Sequence, residues 1–345
     1  KFFGLIRGIV GIFMFGIQTY FLSKAIGYLI RILIFSIDNS TLDQEIFLTF
    51  LLGLNIIDWI SFIFVIIFQA LMFSVGIQFN KKLINISAIV VYTGMILFFF
   101  SIFLSDVKVT SKAFIDILNY KNFLDISNIV PLLTVAGTIF AYFSIIIISF
   151  GDFSRYVKDE DNLKKGNLSL ILNLVIFSFF AVFIVIGSDA FLNQKFEDIN
   201  RIFTNPTDII GKFDNLQITT IVLFFIIVGS ASTNLVANFI PSQYSLINFM
   251  PTSLTLKSAS YTISIIGFVI GVFWLTFLSQ IGILSLIDTF GSFFGPIFGV
   301  IIVDYYLIKE SNLSNKDLYL PESKSIYYYS NGWHIKAIYS LTLGF

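Results

Sequence analysis

Eight stretches of this chain are nearly continuous in apolar residues over about the length of a membrane span, and nothing else in the sequence limits its fold as strongly. They run near Gly8–Ile34, Leu51–Val75, Ile84–Leu104, Ile129–Ile148, Leu168–Ile186, Ile218–Ile240, Ala259–Leu278 and Ile281–Ile308, and a ninth begins at Ile335. Crossing a hydrocarbon core of about 30 Å takes roughly 20 residues of helix. Inside a bilayer no water can satisfy the backbone, so runs of this length are read as helices. The richness in Ile and Phe would favour strands in water, but these runs are longer than strands.

Composition agrees. Of the 345 residues, 57% are hydrophobic and 12% charged, where a soluble domain carries about 25% charged residues. The mean hydropathy is +0.89. The absence of Cys removes disulfides, thiolate metal sites and cysteine nucleophiles. A formal net charge of zero argues against a broad basic face for nucleic acid. The sequence holds no phosphate-cradling glycine loop, no paired-carboxylate pattern and no HExxH motif, so neither an enzyme nor a cofactor is expected. The whole of 1–345 reads as one membrane domain. Its ends, Lys1-Phe2-Phe3 and an apolar stretch running to Phe345, read as cuts within a longer protein.

Orientation comes from the basic residues of short loops. Lys81 and Lys82, then Arg155, Lys158, Lys164 and Lys165, then Lys309, Lys316, Lys324 and Lys336 fall on one side, assigned to the cytoplasm. The loop with Lys108, Lys112 and Lys121 is the exception, balanced by Asp106, Asp116 and Asp125. The segments Ser105–Asn128 and Ser188–Gln217 have room for short amphipathic helices.

In spans this apolar, polar side chains at depth carry the information, because they are costly unless they face protein or a water-filled cavity. The sixth span holds Gly229, Ser232 and Thr233 three and four residues apart, on one helix face. Two hydroxyls and a carbonyl are hard oxygen ligands suited to a small hard cation. Asn234 and Asn238 form a second stripe whose carboxamides both donate and accept. Small and polar residues also bind membrane helices to one another, and that reading weighs equally. Gln18 on the first span is open to the same two readings. In the fourth span Gly137 either breaks the helix, exposing backbone for binding, or is tolerated within it. Asp152 and Arg155 read as a local pair or anchor. Asp58, Asp288 and Asp304 are placed near span ends, and His334 in a solvated loop.

Four strings taken together resemble the nucleobase–cation symporter family, which carries hydantoins, cytosine, uracil, purines and allantoin. They are Phe15-Gly16-Ile17-Gln18-Thr19-Tyr20, Gly151-Asp152-Phe153-Ser154-Arg155-Tyr156, Ser232-Thr233-Asn234 through Ala237-Asn238 to Pro241, and Asp304-Tyr305-Tyr306-Leu307-Ile308. The resemblance implies an all-α, leucine-transporter-like inverted repeat, entered in helix three and left early in helix eleven. It implies half of a Na+ site at Gly229, Ser232 and Thr233, with H+ as the other possible coupling ion. Its remaining ligands belong to helix one, outside this chain. It further implies solute contacts from Gln18, Asn234 and Asn238. Met14 and Phe143 stand where the family often has aromatic stacking residues, and Phe293 and Phe294 are gate candidates by position.

The expected function is therefore cation-coupled uptake of a nucleobase-like planar solute through the cell membrane. Two rivals are a non-transporting solute receptor on the same fold and an amino-acid or amine transporter of the same superfold. The latter would need a charged partner for its solute.

Overall fold

The computed structural model describes residues 2–118, 125–195, 202–213, 215–318, 320 and 322–345; Lys121 lies outside them. In chain order the main helices are α1 (Phe2–Ile37), α2 (Ile56–Ser74), α3 (Ile77–Ser105), α4 (Val107–Ile117), α5 (Ile129–Ile148), α6 (Glu160–Lys195) and α7 (Leu216–Thr233). Next come α8 (Ile240–Phe249), α9 (Leu256–Thr276), α10 (Ile283–Ile302) and α11 (Ile335–Gly344). A wide π turn, Asn234–Phe239, joins α7 to α8 without a break, and a second, Val303–Ile308, extends α10. Among the described residues eight helical segments are long and apolar enough to cross a membrane. The sixth runs on through Pro241 to Phe249, further than the apolar run alone indicates. The fourth, α5, is helical throughout, so Gly137 does not break it. The amphipathic α4 falls in the Ser105–Asn128 segment and buries Thr110 and Phe114.

Helix α2 shows how these faces are sorted. Its outward residues, Ile60, Ile63, Phe64, Ile67, Phe68 and Leu71, are large and apolar, while its buried face carries Asp58, Ser61 and Gln69 among Phe62, Val65, Ile66 and Phe73. Water would reverse that arrangement. A hydrocarbon surround favours it, since apolar side chains lose nothing by facing lipid and polar ones need partners inside.

The chain divides into two units. The first comprises Lys1–Asn128 and Ser154–Gln280, and α1 is its axis, packing against α2, α7, the π turn, α8 and α9. The crossing of α1 with α9 is close because glycines meet there: a Cβ on Gly16 would lie 2.6 Å from the Gly267 carbonyl oxygen, and one on Gly271 would lie 2.9 Å from that of Gly16. Gly267 and Gly271 are four apart, the small-xxx-small spacing by which membrane helices approach.

Between α1 and α2 sits a charge cluster. Asp58 caps the start of α2 in a reciprocal box with Asn55, and is 4% exposed. Lys24 Nζ lies 3.2 Å from one carboxylate oxygen and Arg31 Nη2 2.9 Å from the other. Arg31 also donates to Asn55 Oδ1 at 3.1 Å. Asp58 does lie near a span end, as its sequence position implies. Its two basic partners, however, both lie inside the first apolar run.

The second unit comprises Ile129–Phe153 and Ile281–Phe345. Within it α5 packs on α10 at Gly291, where a Cβ would overlap Ala141. Phe294 is fully buried, and Phe293 stacks on Phe345 with ring centroids 4.0 Å apart. Phe143, half-buried on α5, meets Tyr142 edge-on.

Gly16→Ala should lower the thermal midpoint of the detergent-solubilised protein, since overpacking against backbone costs about 1–3 kcal/mol. Gly166→Ala, on α6, meets no atom within 4 Å and should leave the midpoint unchanged or raise it through helix propensity. Equal responses would show that the α1–α9 crossing has room to spare. Asp58→Asn strands Lys24 and Arg31; both keep about a quarter of their side chains exposed, so the loss should fall near the lower end of the roughly 3–5 kcal/mol typical of broken buried pairs. The same melting measurement checks it.

Candidate functional site

Pro241 organises the polar centre of the first unit. A proline has no amide hydrogen to donate four residues back, and in a regular helix its ring presses on that carbonyl. The carbonyl concerned is Ala237's. The chain responds by widening: Ile240 N–H reaches back five residues to Leu235 O. Arg7 of α1, 2% exposed, donates Nη2 to Ala237 O. Ser242 adds its hydroxyl beside Asn238 O at 2.6 Å and Gly8 O at 3.1 Å. Gly11 makes room for this junction, since a Cβ there would overlap Ser242 Oγ. Such π turns inside helices recur at functional sites.

The turn delivers two carboxamides to α1. Asn238 Nδ2 donates to Gln18 Oε1 at 2.8 Å and to Asn234 Oδ1 at 2.9 Å. Asn234 Nδ2 in turn donates to Thr19 Oγ1 at 3.0 Å and to Phe15 O at 3.3 Å. Thr19 lies within 2.8 Å of Gln69 Oε1 on α2. Three amides, a hydroxyl and a fourth amide thus form one chain through three helices, buried except at Gln18. An apolar shell surrounds it: Phe15, Phe73, Leu235 and Phe239 belong to one core cluster, with Phe239 5.4 Å from Phe15 and 5.0 Å from Phe73.

The members of this chain differ in access. Asn234 is fully buried and Asn238 is 5% exposed. Gln18 is half-buried and opens onto a cavity of about 280 Å³. Apolar residues such as Val91, Met95, Phe98, Phe177, Ile184 and Phe225 line most of that cavity. Its polar contributions come from Gln18, from Thr204 and from Gly229, Ser230 and Thr233 of α7. Ser232 donates its hydroxyl to Gly229 O at 3.0 Å. The three residues expected to offer oxygens to a cation are therefore grouped, two of them in contact and two on one cavity wall.

Gln18, Asn234 and Asn238 are brought together. Met14, one turn before Gln18, is buried at 8% exposure. Phe143, Phe293 and Phe294 belong to the second unit. Thr19, Gln69, Arg7 and Ser242 were not singled out from sequence. Thr19 stands next to Gln18 in one of the family strings, and Gln69 is a lone amide in an apolar span. Either could have been found by the rule that intramembrane polar groups face partners.

Comparison with known proteins gives a consistent outcome. The family model described as permease for cytosine/purines, uracil, thiamine, allantoin matches residues 2–345. The purine-uracil permease NCS1 of Arabidopsis thaliana is 26% identical over 204 residues, which are 59% of this chain and 33% of that protein. The allantoin permease of Bacillus subtilis (strain 168) is 24% identical over 200 residues, 58% of this chain and 39% of that protein. The chain thus spans between a third and two fifths of the length of these relatives. Among solved structures, Mhp1, a nucleobase-cation-symport-1 family transporter in a closed conformation with bromovinylhydantoin bound, superposes with a TM-score of 0.66 at 17% identity, covering 98% of this chain and 68% of that one. Mhp1 in its inward-facing conformation gives 0.63, with coverages of 97% and 66%. The fold is therefore the leucine-transporter-like one expected, in a multi-pass membrane protein. The chain belongs to the family of permeases for cytosine and purines, uracil, thiamine and allantoin.

Proposed function

We propose that the full-length protein is a secondary active permease of the cell membrane, moving a nucleobase or related planar heterocycle by symport with a cation, Na+ being the coupling ion. The observation that carries this reading is the carboxamide pair Gln18 and Asn238, held together at the π turn beside a largely apolar cavity. Amides read a solute edge that carries both N–H and C=O groups. A solute lacking that edge leaves buried amides unpaired, a loss of roughly 1–3 kcal/mol each. The family's solute range and the relatives' names supply the chemical class.

The donor set at Gly229, Ser232 and Thr233 fits half of a Na+ site. A main-chain carbonyl and two hydroxyls are neutral, hard oxygens, and Ser232 Oγ already lies 3.0 Å from Gly229 O. A bound cation supplies a fixed positive charge that favours one arrangement of the helices around it. A solute favouring the same arrangement binds more tightly in its presence, and the coupling is reciprocal. Rocking of one bundle against another then exposes the site on alternate sides.

Uptake of radiolabelled uracil, cytosine, hypoxanthine, allantoin and hydantoin by cells expressing the full-length gene tests the reading. At least one should accumulate against its gradient, which a non-transporting receptor cannot achieve. Removing external Na+, or making Ser232→Ala together with Thr233→Ala, should cut that uptake at least about tenfold, corresponding to roughly 1.4 kcal/mol of coupling. Uptake indifferent to both changes would reject Na+ and leave H+ to be tested. Asn238→Ala should weaken solute affinity at least about fivefold through the loss of one amide partner. Unchanged affinity would take Asn238 out of the solute site.

A further inference from the structure

The amide chain has a direction, and its far end fixes it. Phe15 O is a main-chain oxygen that can only accept. Asn234 must therefore turn Nδ2 toward it, 3.3 Å away, and toward Thr19 Oγ1 at 3.0 Å. That leaves Asn234 Oδ1 facing Asn238, so Asn238 must answer with Nδ2, at 2.9 Å. The second hydrogen of the same nitrogen goes to Gln18 Oε1 at 2.8 Å. Both amide hydrogens of Asn238 are then used, and among the described residues nothing donates to its Oδ1. Gln18, having accepted through its oxygen, retains Nε2, whose hydrogen-bond partner among the described residues is Ser230 O at 3.5 Å, at the outer limit of a hydrogen bond. Turning Asn234 over would set its oxygen against Phe15 O, and turning Asn238 over would set its oxygen against those of Asn234 and Gln18.

We infer that Asn234 and Thr19 are positioning residues that set the polarity of the solute edge, so that Asn238 offers an acceptor and Gln18 a donor. This rests on the solute reading proposed for the Gln18–Asn238 pair and deepens it. The complementary solute presents an N–H to Asn238 beside an acceptor for Gln18, the –NH–C(=O)– edge of a lactam or ureide. An N-alkylated form of that edge has no hydrogen for Asn238 Oδ1. Neither positioning residue needs to touch the solute, since Asn234 and Thr19 are both fully buried.

Thr19 turns its own hydroxyl hydrogen away from Asn234. Phe15 O at 2.7 Å and Gln69 Oε1 at 2.8 Å are both placed to accept that hydrogen. Either way the hydroxyl oxygen is left to receive Asn234 Nδ2.

The test uses the purified full-length protein and direct binding of uracil, allantoin and hydantoin, each against its ring N-methyl derivatives. The wild type should bind at least one parent and lose about tenfold or more in affinity on methylation of the N–H that faces Asn238. Thr19→Val keeps the shape and removes the hydroxyl. It should weaken parent binding about tenfold and shrink the discrimination against the methyl derivative to about threefold or less. Thr19→Ser should restore both. Size-exclusion profiles and melting midpoints of each variant separate a lost edge from a lost fold. A merely structural role would lower the midpoint and leave the discrimination ratio of the folded fraction unchanged, and that result would overturn the inference. Wild-type affinity and ratio in Thr19→Val would overturn it alone, with the solute reading intact. A wild type that binds none of the parents would overturn both.

Discussion

A carbonyl that cannot find its amide shapes the centre of this protein. In water an orphan oxygen at Ala237 would be solvated at little cost. In a bilayer it must be satisfied from within the protein, because an unpaired backbone group costs several kcal/mol there. Pro241 removes the ordinary partner, and the chain answers with a π turn and with Arg7 from α1. Together the turn and the arginine build the site. The turn rotates Asn234 and Asn238 onto α1. The arginine ties the same turn to α1 a short distance further on. Gly8 and Gly11 keep α1 thin where Ser242 and Ser245 approach. The site is thus a by-product of repairing a backbone defect, which explains why it lies in mid-span where irregular backbone is otherwise excluded.

How much of this the sequence discloses depends on what kind of information each feature carries. The eight spans are legible because hydrophobic length is additive along the chain and needs no knowledge of neighbours. Gln18, Asn234 and Asn238 are legible as polar residues in apolar runs. Their mutual bonding is not, because Gln18 and Asn238 stand 220 residues apart and only the folded bundle brings them together. The extension of the sixth span to Phe249 is hidden by Pro241, which reads locally as a stop. Proline ends a helix in water; within a bundle, Arg7 and the wide turn let it continue. Lys24 and Arg31 are inconspicuous inside the first run for a related reason. Once Asp58 supplies the counter-charge, they no longer interrupt a span. Gly137 is the reverse case: of the two readings open for it, the tolerated glycine within an intact helix is the one found.

The distribution of charge along α1 bears on the kind of solute the family fold can serve here. At about 1.5 Å per residue, Arg7 lies roughly 16 Å from Gln18 toward one end of the helix and Lys24 roughly 9 Å toward the other. Arg7 is engaged by the turn, and Lys24 and Arg31 are held by Asp58. Between them, from Gly8 to Ser23 on α1 and from Leu216 to Met250 across α7, the turn and α8, every residue is neutral. A carboxylate or ammonium brought to Gln18 and Asn238 would give up its hydration for amide dipoles alone, and an unpaired ion at such depth is expensive. A neutral ring with a polar edge loses far less and gains the amides' full complementarity. On the proposed solute reading, the cluster's neutrality fits a neutral solute better than a zwitterionic one, and it follows from where α1 keeps its charges as much as from which residues form the cluster.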